Sequence, residues 1–88
     1  MKEIELILTN KLGLHARPAA LFVQTAARFK SRITISVDGK TADAKSILGV
    51  LGLGARSGAT ITIGIEGEDE QKAAEALQQF FLNLVDDK

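Results

Sequence analysis

Residues 32–44 read RITISVDGKTADA. Ile33, Ile35 and Val37 alternate with Thr34 and Ser36, the two-residue period of a strand with one buried face. Asp38-Gly39 is a dipeptide that closes two-residue hairpins, because both positions need positive φ. Lys40 to Ala44 therefore returns as a strand antiparallel to the one before it. Towards the N-terminus the period changes: Ala19, Phe22, Val23, Ala26 and Phe29 recur at helical spacing, and Pro18 suits a first turn, where a missing N–H costs nothing. Farther out, Glu3 to Thr9 alternates again, with Ile4, Leu6 and Leu8 on one face, until Asn10-Lys11-Leu12-Gly13 breaks it. Towards the C-terminus, Ser46 is an N-cap for a short helix over Ile47–Leu51, stopped by Gly52 and Gly54. Ile61, Ile63 and Ile65 alternate as a fourth strand, and Asp69 sits where it can cap a last helix. That helix shows a core face of Ala73, Ala74, Leu77, Phe80, Phe81 and Leu84. The order is βαββαβα, with neither linker nor repeat, so residues 1–88 are expected to form one domain. Three amphipathic helices without separate partners cover one face of a four-stranded sheet, which is a two-layer α+β sandwich.

The composition narrows the function. The chain has 88 residues, no cysteine and one histidine. A disulfide scaffold, a thiolate or multi-histidine metal site and a cysteine nucleophile are thereby excluded. No apolar run approaches the ~18 residues of a membrane span, and the N-terminus MKEIELIL lacks an export pattern. A cytoplasmic protein without membrane insertion is expected. Net charge is zero, which argues against nucleic acid as the main partner. The charges are nevertheless segregated: residues 1–60 carry +5 and residues 61–88 carry −5. Between Leu6 and Val37 there is no acid, while Lys11, Arg17, Arg28, Lys30 and Arg32 all fall there. Such a stretch attracts anionic ligands or acidic protein faces.

Three superficially functional features read as structure. Gly52, Gly54 and Gly58 follow a short helix rather than a strand, and no Gly-Lys-Ser/Thr follows, so they serve caps and turns rather than a nucleotide. Glu68-Asp69-Glu70 and Asp86-Asp87 read as helix-terminal and tail charges rather than a general acid–base pair. The four aromatics are all Phe at core-like positions, which leaves no stacking platform for single-stranded nucleic acid. No cofactor is expected.

One segment carries chemistry: residues 13–20, GLHARPAA. It places the histidine, His15, just before a helix start, with Arg17 two residues on. A helix N-terminus offers free N–H groups and partial positive charge, which together bind anions. Pro18 has no N–H, so the nearest backbone donors are Ala16 and Arg17. The Arg17 guanidinium adds a planar fork matched to phosphate oxygens. A neutral imidazole is a nucleophile, and a phosphoryl group on its nitrogen would find donors for its oxygens. The residues alone leave an inert loop histidine equally open.

GLHARPAA, with KSILGVLGLG at residues 45–54 and EGEDEQKA at 66–73, resembles the histidine-containing phosphocarrier (HPr) family of the phosphoenolpyruvate-dependent sugar phosphotransferase system. The resemblance covers the whole chain. It implies an open-faced sandwich with an antiparallel sheet in the order 1-4-2-3 and helices on one side. It also implies a phosphoryl carrier rather than an enzyme, one that accepts from enzyme I and donates to the A domain of sugar-specific enzyme II. Carried over by position, His15 is phosphorylated at Nδ1, Arg17 orients the phosphate and Ser46 is a regulatory serine. In Gram-positive relatives a kinase/phosphorylase modifies that serine, and the product is corepressor for a catabolite-control transcription factor. This chain departs from those relatives at Leu48 and Leu51, commonly methionine, and at Gly52, commonly serine; EGEDEQKA is closer to enteric members. Ser46 thus reads as a regulatory site or as a helix cap.

A relay protein docks with donor and acceptors in turn, so it needs an adaptable surface. Ala20, Gln24 and Ala27 on the exposed side of the first helix, with Ile47, Leu48 and Leu51 on the second, form the expected patch; Ile47 is the member best suited to the core instead. A monomer is expected. The alternative is a regulatory or binding module on the same scaffold, not engaged in sugar transport and with His15 idle. A related regulatory branch lacks the active histidine, and His15 argues against membership there.

Overall fold

A computed structural model describes residues 1–84. Asp86 and Asp87, read above as tail charges, lie outside the described residues. The elements are β1 (Lys2–Ile7), α1 (Ala16–Ala27), β2 (Arg32–Val37), β3 (Lys40–Asp43), α2 (Ile47–Gly52), β4 (Thr60–Glu66) and α3 (Glu70–Leu82). The strands form one antiparallel sheet in the order β1-β4-β2-β3, and the fold is the expected open-faced α+β sandwich.

Register puts the alternating residues in rows. Ile63 stands opposite Ile4 on one side and Ile35 on the other, while Ile65 faces Ile33 and Ile61 faces Val37. Ile33, Ile35, Val37, Ile61, Ile63 and Ile65 are all buried. Thr34, Ser36, Thr62 and Gly64, on the opposite face, stay half-exposed. The hairpin turn has φ of 52° at Asp38 and 81° at Gly39, the pair of positive values that matches the right-handed twist of the flanking strands.

The helices bring Pro18, Ala19, Phe22 and Ala26 of α1, and Ala73, Ala74 and Leu77 of α3, to the sheet. Phe22 is fully buried, with its ring centroid 6.0 Å from that of Phe80 and 5.5 Å from that of Phe81. This cluster joins α1 to α3, and burying a Phe of this kind contributes about 1.5–3 kcal/mol.

Asp69 differs from expectation. It stands at the N-cap position of α3, but its carboxylate makes no cap bond. It accepts instead the Lys30 N–H at 2.8 Å, the Ser31 N–H at 3.0 Å and the Ser31 hydroxyl at 2.5 Å. Three donors at the entry to β2 outcompete the N–H groups of its own helix. Glu70 takes over the local duty: it accepts the Gly67 N–H at 3.2 Å and pairs with the N-terminal ammonium at 2.9 Å.

Candidate functional site

The loop from Asn10 to His15 is folded tightly onto the core. Leu14 is buried, and its N–H donates to the Ala55 carbonyl at 3.0 Å. Gly13 has φ of +66°, and a Cβ there would lie 2.3 Å from that same carbonyl oxygen. Only glycine allows this approach, because a side chain would meet both the strain and the collision. The close contact fixes where the chain turns into α1.

His15 is the N-cap residue of α1. Its backbone is extended (φ −83°, ψ −173°), and its carbonyl accepts the first helical bond from the Ala19 N–H at 2.9 Å. Its side chain makes no cap bond, so the imidazole is not consumed in closing the helix, as an N-cap Ser or Asp would be. The ring is half-exposed, while Ala16 and Arg17, the first two helical residues, are exposed. Pro18 occupies the third position without an N–H, which concentrates the backbone donors of the first turn on Ala16 and Arg17. The partial positive charge of the helix end and the Arg17 guanidinium favour an anion at this spot.

A groove of about 540 Å³ opens between α1 and α3, lined by Arg17, Pro18, Leu21, Thr25, Arg28 and Phe80 among others. His15 lies outside it. A group attached to the imidazole would therefore stand at an exposed helix end, within reach of another protein. Among the described residues, no three His, Asp or Glu side chains converge on a metal-binding position, and no helix is long and apolar enough to cross a membrane.

Ser46 is the N-cap of α2, with φ −111° and ψ 113°, and its Oγ accepts the Gly49 N–H at 3.1 Å. The preceding residue, Lys45, donates from Nζ to the Phe29 carbonyl at 2.6 Å and so ties the start of α2 to the end of α1. With the two helices packed side by side, Gln24 and Ala27 are exposed on α1 and Leu48 is 80% exposed on α2. Ile47 and Leu51 are each 37% exposed. The suggestion that Ile47 turns inward is corrected: α2 is six residues long and buries only Val50. Ala20, expected on the exposed side, is half-buried beside this junction.

Three contributors were not singled out from sequence. Leu12, in the loop that carries His15, is 61% exposed, and Leu21 is exposed on α1. Leu21 lines the groove between α1 and α3, and a scan for leucines off the helical core stripe would have found both. Asn10 is buried at the base of the loop, where a polar residue in a chain-breaking tetrapeptide gives no sign of burial.

Comparison with known proteins places these features in context. The family described as "PTS HPr component phosphorylation site" matches residues 2–83. The chain is 52% identical over 83 residues to the phosphocarrier protein HPr of Xylella fastidiosa strain 9a5c, covering 94% of this chain and 93% of the relative. It is 57% identical over 79 residues to the HPr-like protein Crh of Halalkalibacterium halodurans, covering 90% and 92%. Among solved structures, HPr-C-His from Thermoanaerobacter tengcongensis superposes with a TM-score of 0.90 at 48% identity, covering 93% and 92%.

Proposed function

Because this chain belongs to the HPr family of phosphotransferase-system phosphocarriers, proteins that carry a phosphoryl group rather than catalyse a reaction, we propose that His15 is the carrier residue. Its Nδ1 lone pair attacks the phosphorus of phospho-enzyme I, a new N–P bond forms, and the donor leaves with the electron pair of the broken bond. The A domain of a sugar-specific enzyme II later repeats the displacement on His15, and the neutral imidazole is the leaving group. The observation that carries this reading is the N-cap position of His15 with its side chain unspent on capping.

The surroundings suit a carrier. The N–H groups of Ala16 and Arg17 and the guanidinium of Arg17 meet the phosphoryl oxygens. An exposed helix end favours an anion by only about 0.3–1 kcal/mol, which holds the group without trapping it. Gln24, Ala27, Ile47, Leu48 and Leu51, with Ala20 at their edge, form the docking face, and the basic stretch around them complements acidic partner rims. Ser46 is the regulatory serine, open to a kinase/phosphorylase and, once modified, to a catabolite-control transcription factor. One copy of the chain is enough for transfer, although an HPr from Thermoanaerobacter tengcongensis has been solved as a dimer; ultracentrifugation of the phosphorylated chain decides the state at work.

The test is incubation with enzyme I and phosphoenolpyruvate, read by intact mass. One acid-labile phosphoryl group is expected on the wild type and none on His15→Ala, whose stability should change by less than about 0.5 kcal/mol. Acid-labile label persisting on His15→Ala overturns the assignment. The 57% identity to an HPr-like Crh favours a second reading, a regulatory module with His15 idle, and an unlabelled wild type would select it.

A further inference from the structure

We infer that Asn10 is a positioning residue for His15, acting through the carbonyl of Gly13. Asn10 lies outside every helix and strand and is 4% exposed. Its Nδ2 donates to the Gly13 carbonyl oxygen at 2.7 Å, and its own backbone carbonyl accepts the Gly13 N–H at 3.2 Å. The same Gly13 oxygen accepts the His15 N–H at 3.1 Å. One carbonyl thus joins a buried amide to the backbone of the histidine, and residues 10–13 are closed from both sides. The remaining atom of the amide, Oδ1, is buried and accepts no hydrogen bond from the described residues. An unsatisfied buried acceptor is destabilising, and native proteins tolerate few of them. An apolar residue here would leave no orphan acceptor, but it would also supply no donor to Gly13. What the amide supplies is a donor aimed at Gly13, and the turned-over amide would set Oδ1 against the carbonyl oxygen. Because Gly13 is already pressed on Ala55, the loop has one path, and the amide holds the carbonyl that sets the His15 backbone on it.

This inference rests on His15 being the phosphoryl acceptor, and the experiment separates the two. Asn10→Ala and Asn10→Asp are compared with the wild type for transfer from phospho-enzyme I, with the melting temperature recorded. Ile35→Val, a buried substitution in β2, is the control for lost stability. Misplacing the nucleophile slows the chemical step, so the maximal rate should fall about 10- to 100-fold while KM stays within twofold. Measured at alkaline pH, where the carboxyl is ionised despite burial, Asn10→Asp should be at least as slow as Asn10→Ala, although it fills the space better, because a carboxylate cannot donate to Gly13. A rate in Asn10→Ala no lower than in Ile35→Val, or an Asp variant faster than the Ala variant, overturns the proposal and leaves Asn10 as packing. The His15 amide and ring resonances, recorded without enzyme I, should shift in both variants and stay put in Ile35→Val. If the wild type is never labelled, the carrier reading falls, and unshifted His15 resonances would still overturn the positioning role on their own.

Discussion

The Ser31 hydroxyl donates to Asp69 Oδ1 at 2.5 Å across a sequence separation of 38 residues. With the Ser31 and Lys30 N–H groups on the same carboxylate, it fastens the start of β2 to the start of α3. The Ser31 hydroxyl first, and the Lys30 N–H next, hold the Asp69 carboxyl at about 2, below its ordinary 3.8.

A carboxylate lowered on folding stabilises the native state above its unfolded value and loses that contribution as pH falls through the folded value. Stability should therefore decline between about pH 4 and pH 2. Glu70, lowered chiefly by its bond from the N-terminal ammonium and then by the Gly67 N–H, contributes in the same direction as pH falls. Thermal melts of Asp69→Ala should show a lower melting temperature at pH 7 and a flatter decline from pH 4 to pH 2 than the wild type. Parallel curves would remove Asp69 as a cause.

Arg17 should matter to transfer and not to folding, since it is exposed at the second position of α1. Arg17→Ala should slow phosphorylation of His15 by about 10²–10³, the usual effect of removing one donor to a developing charge. Arg17→Lys should recover only part of the loss, because an ammonium lacks the planar fork. The phosphotransfer rate with the melting temperature as control checks this, and a Lys variant at full speed removes the bidentate argument.

Ser46 caps α2 through Oγ, so Ser46→Ala should cost about 0.5–2 kcal/mol in a denaturant titration. Ser46→Asp should cost less, since Asp is an equally good N-cap and its charge suits the helix end. The same charge borders Ile47, Leu48 and Leu51, so the rate of phosphorylation by enzyme I should fall in the Asp variant. Unchanged rate with unchanged stability would leave Ser46 as a cap alone.

Gly13→Ala should be among the most damaging small substitutions in the chain. Left-handed backbone at a residue with a Cβ costs about 1–3 kcal/mol, and the collision with the Ala55 oxygen is additional. The melting temperature should drop, and His15 labelling should drop further than stability explains. Wild-type values for both would mean that the loop has an alternative path.

Local periodicity carried most of the architecture. Ile33, Ile35 and Val37 against Ile61, Ile63 and Ile65 announced two strands with buried faces, Asp38-Gly39 announced the turn between β2 and β3, and Pro18 announced the first turn of α1. The strand order came from the family resemblance, because alternation says which face is buried and nothing about neighbours. The placement of His15 at the helix start was equally legible, being a matter of adjacent residues. Asp69 was not: its choice between its own helix and Ser31 depends on a contact formed only when distant segments meet. Ile47 on α2 and Asn10 in the loop were open for a related reason. Ile47 suited the docking patch or the core, and nothing in a chain-breaking tetrapeptide marks Asn10 as buried; each is placed by the geometry of its neighbours.

The pairing of β1 with β4 also governs the order in which the protein can assemble. During synthesis Lys2–Ile7 emerges first, but the strand it borders, Thr60–Glu66, comes almost last. β2 depends on the same late strand for its inner edge. Until β4 is out, the nascent chain has only the β2–β3 hairpin as a paired unit, and a single hairpin is marginal in water. The sheet is consequently closed in one late event, over long loops whose joining slows folding. A ribosome stalled before Thr60 would leave β1 without a partner and β2 with one open edge.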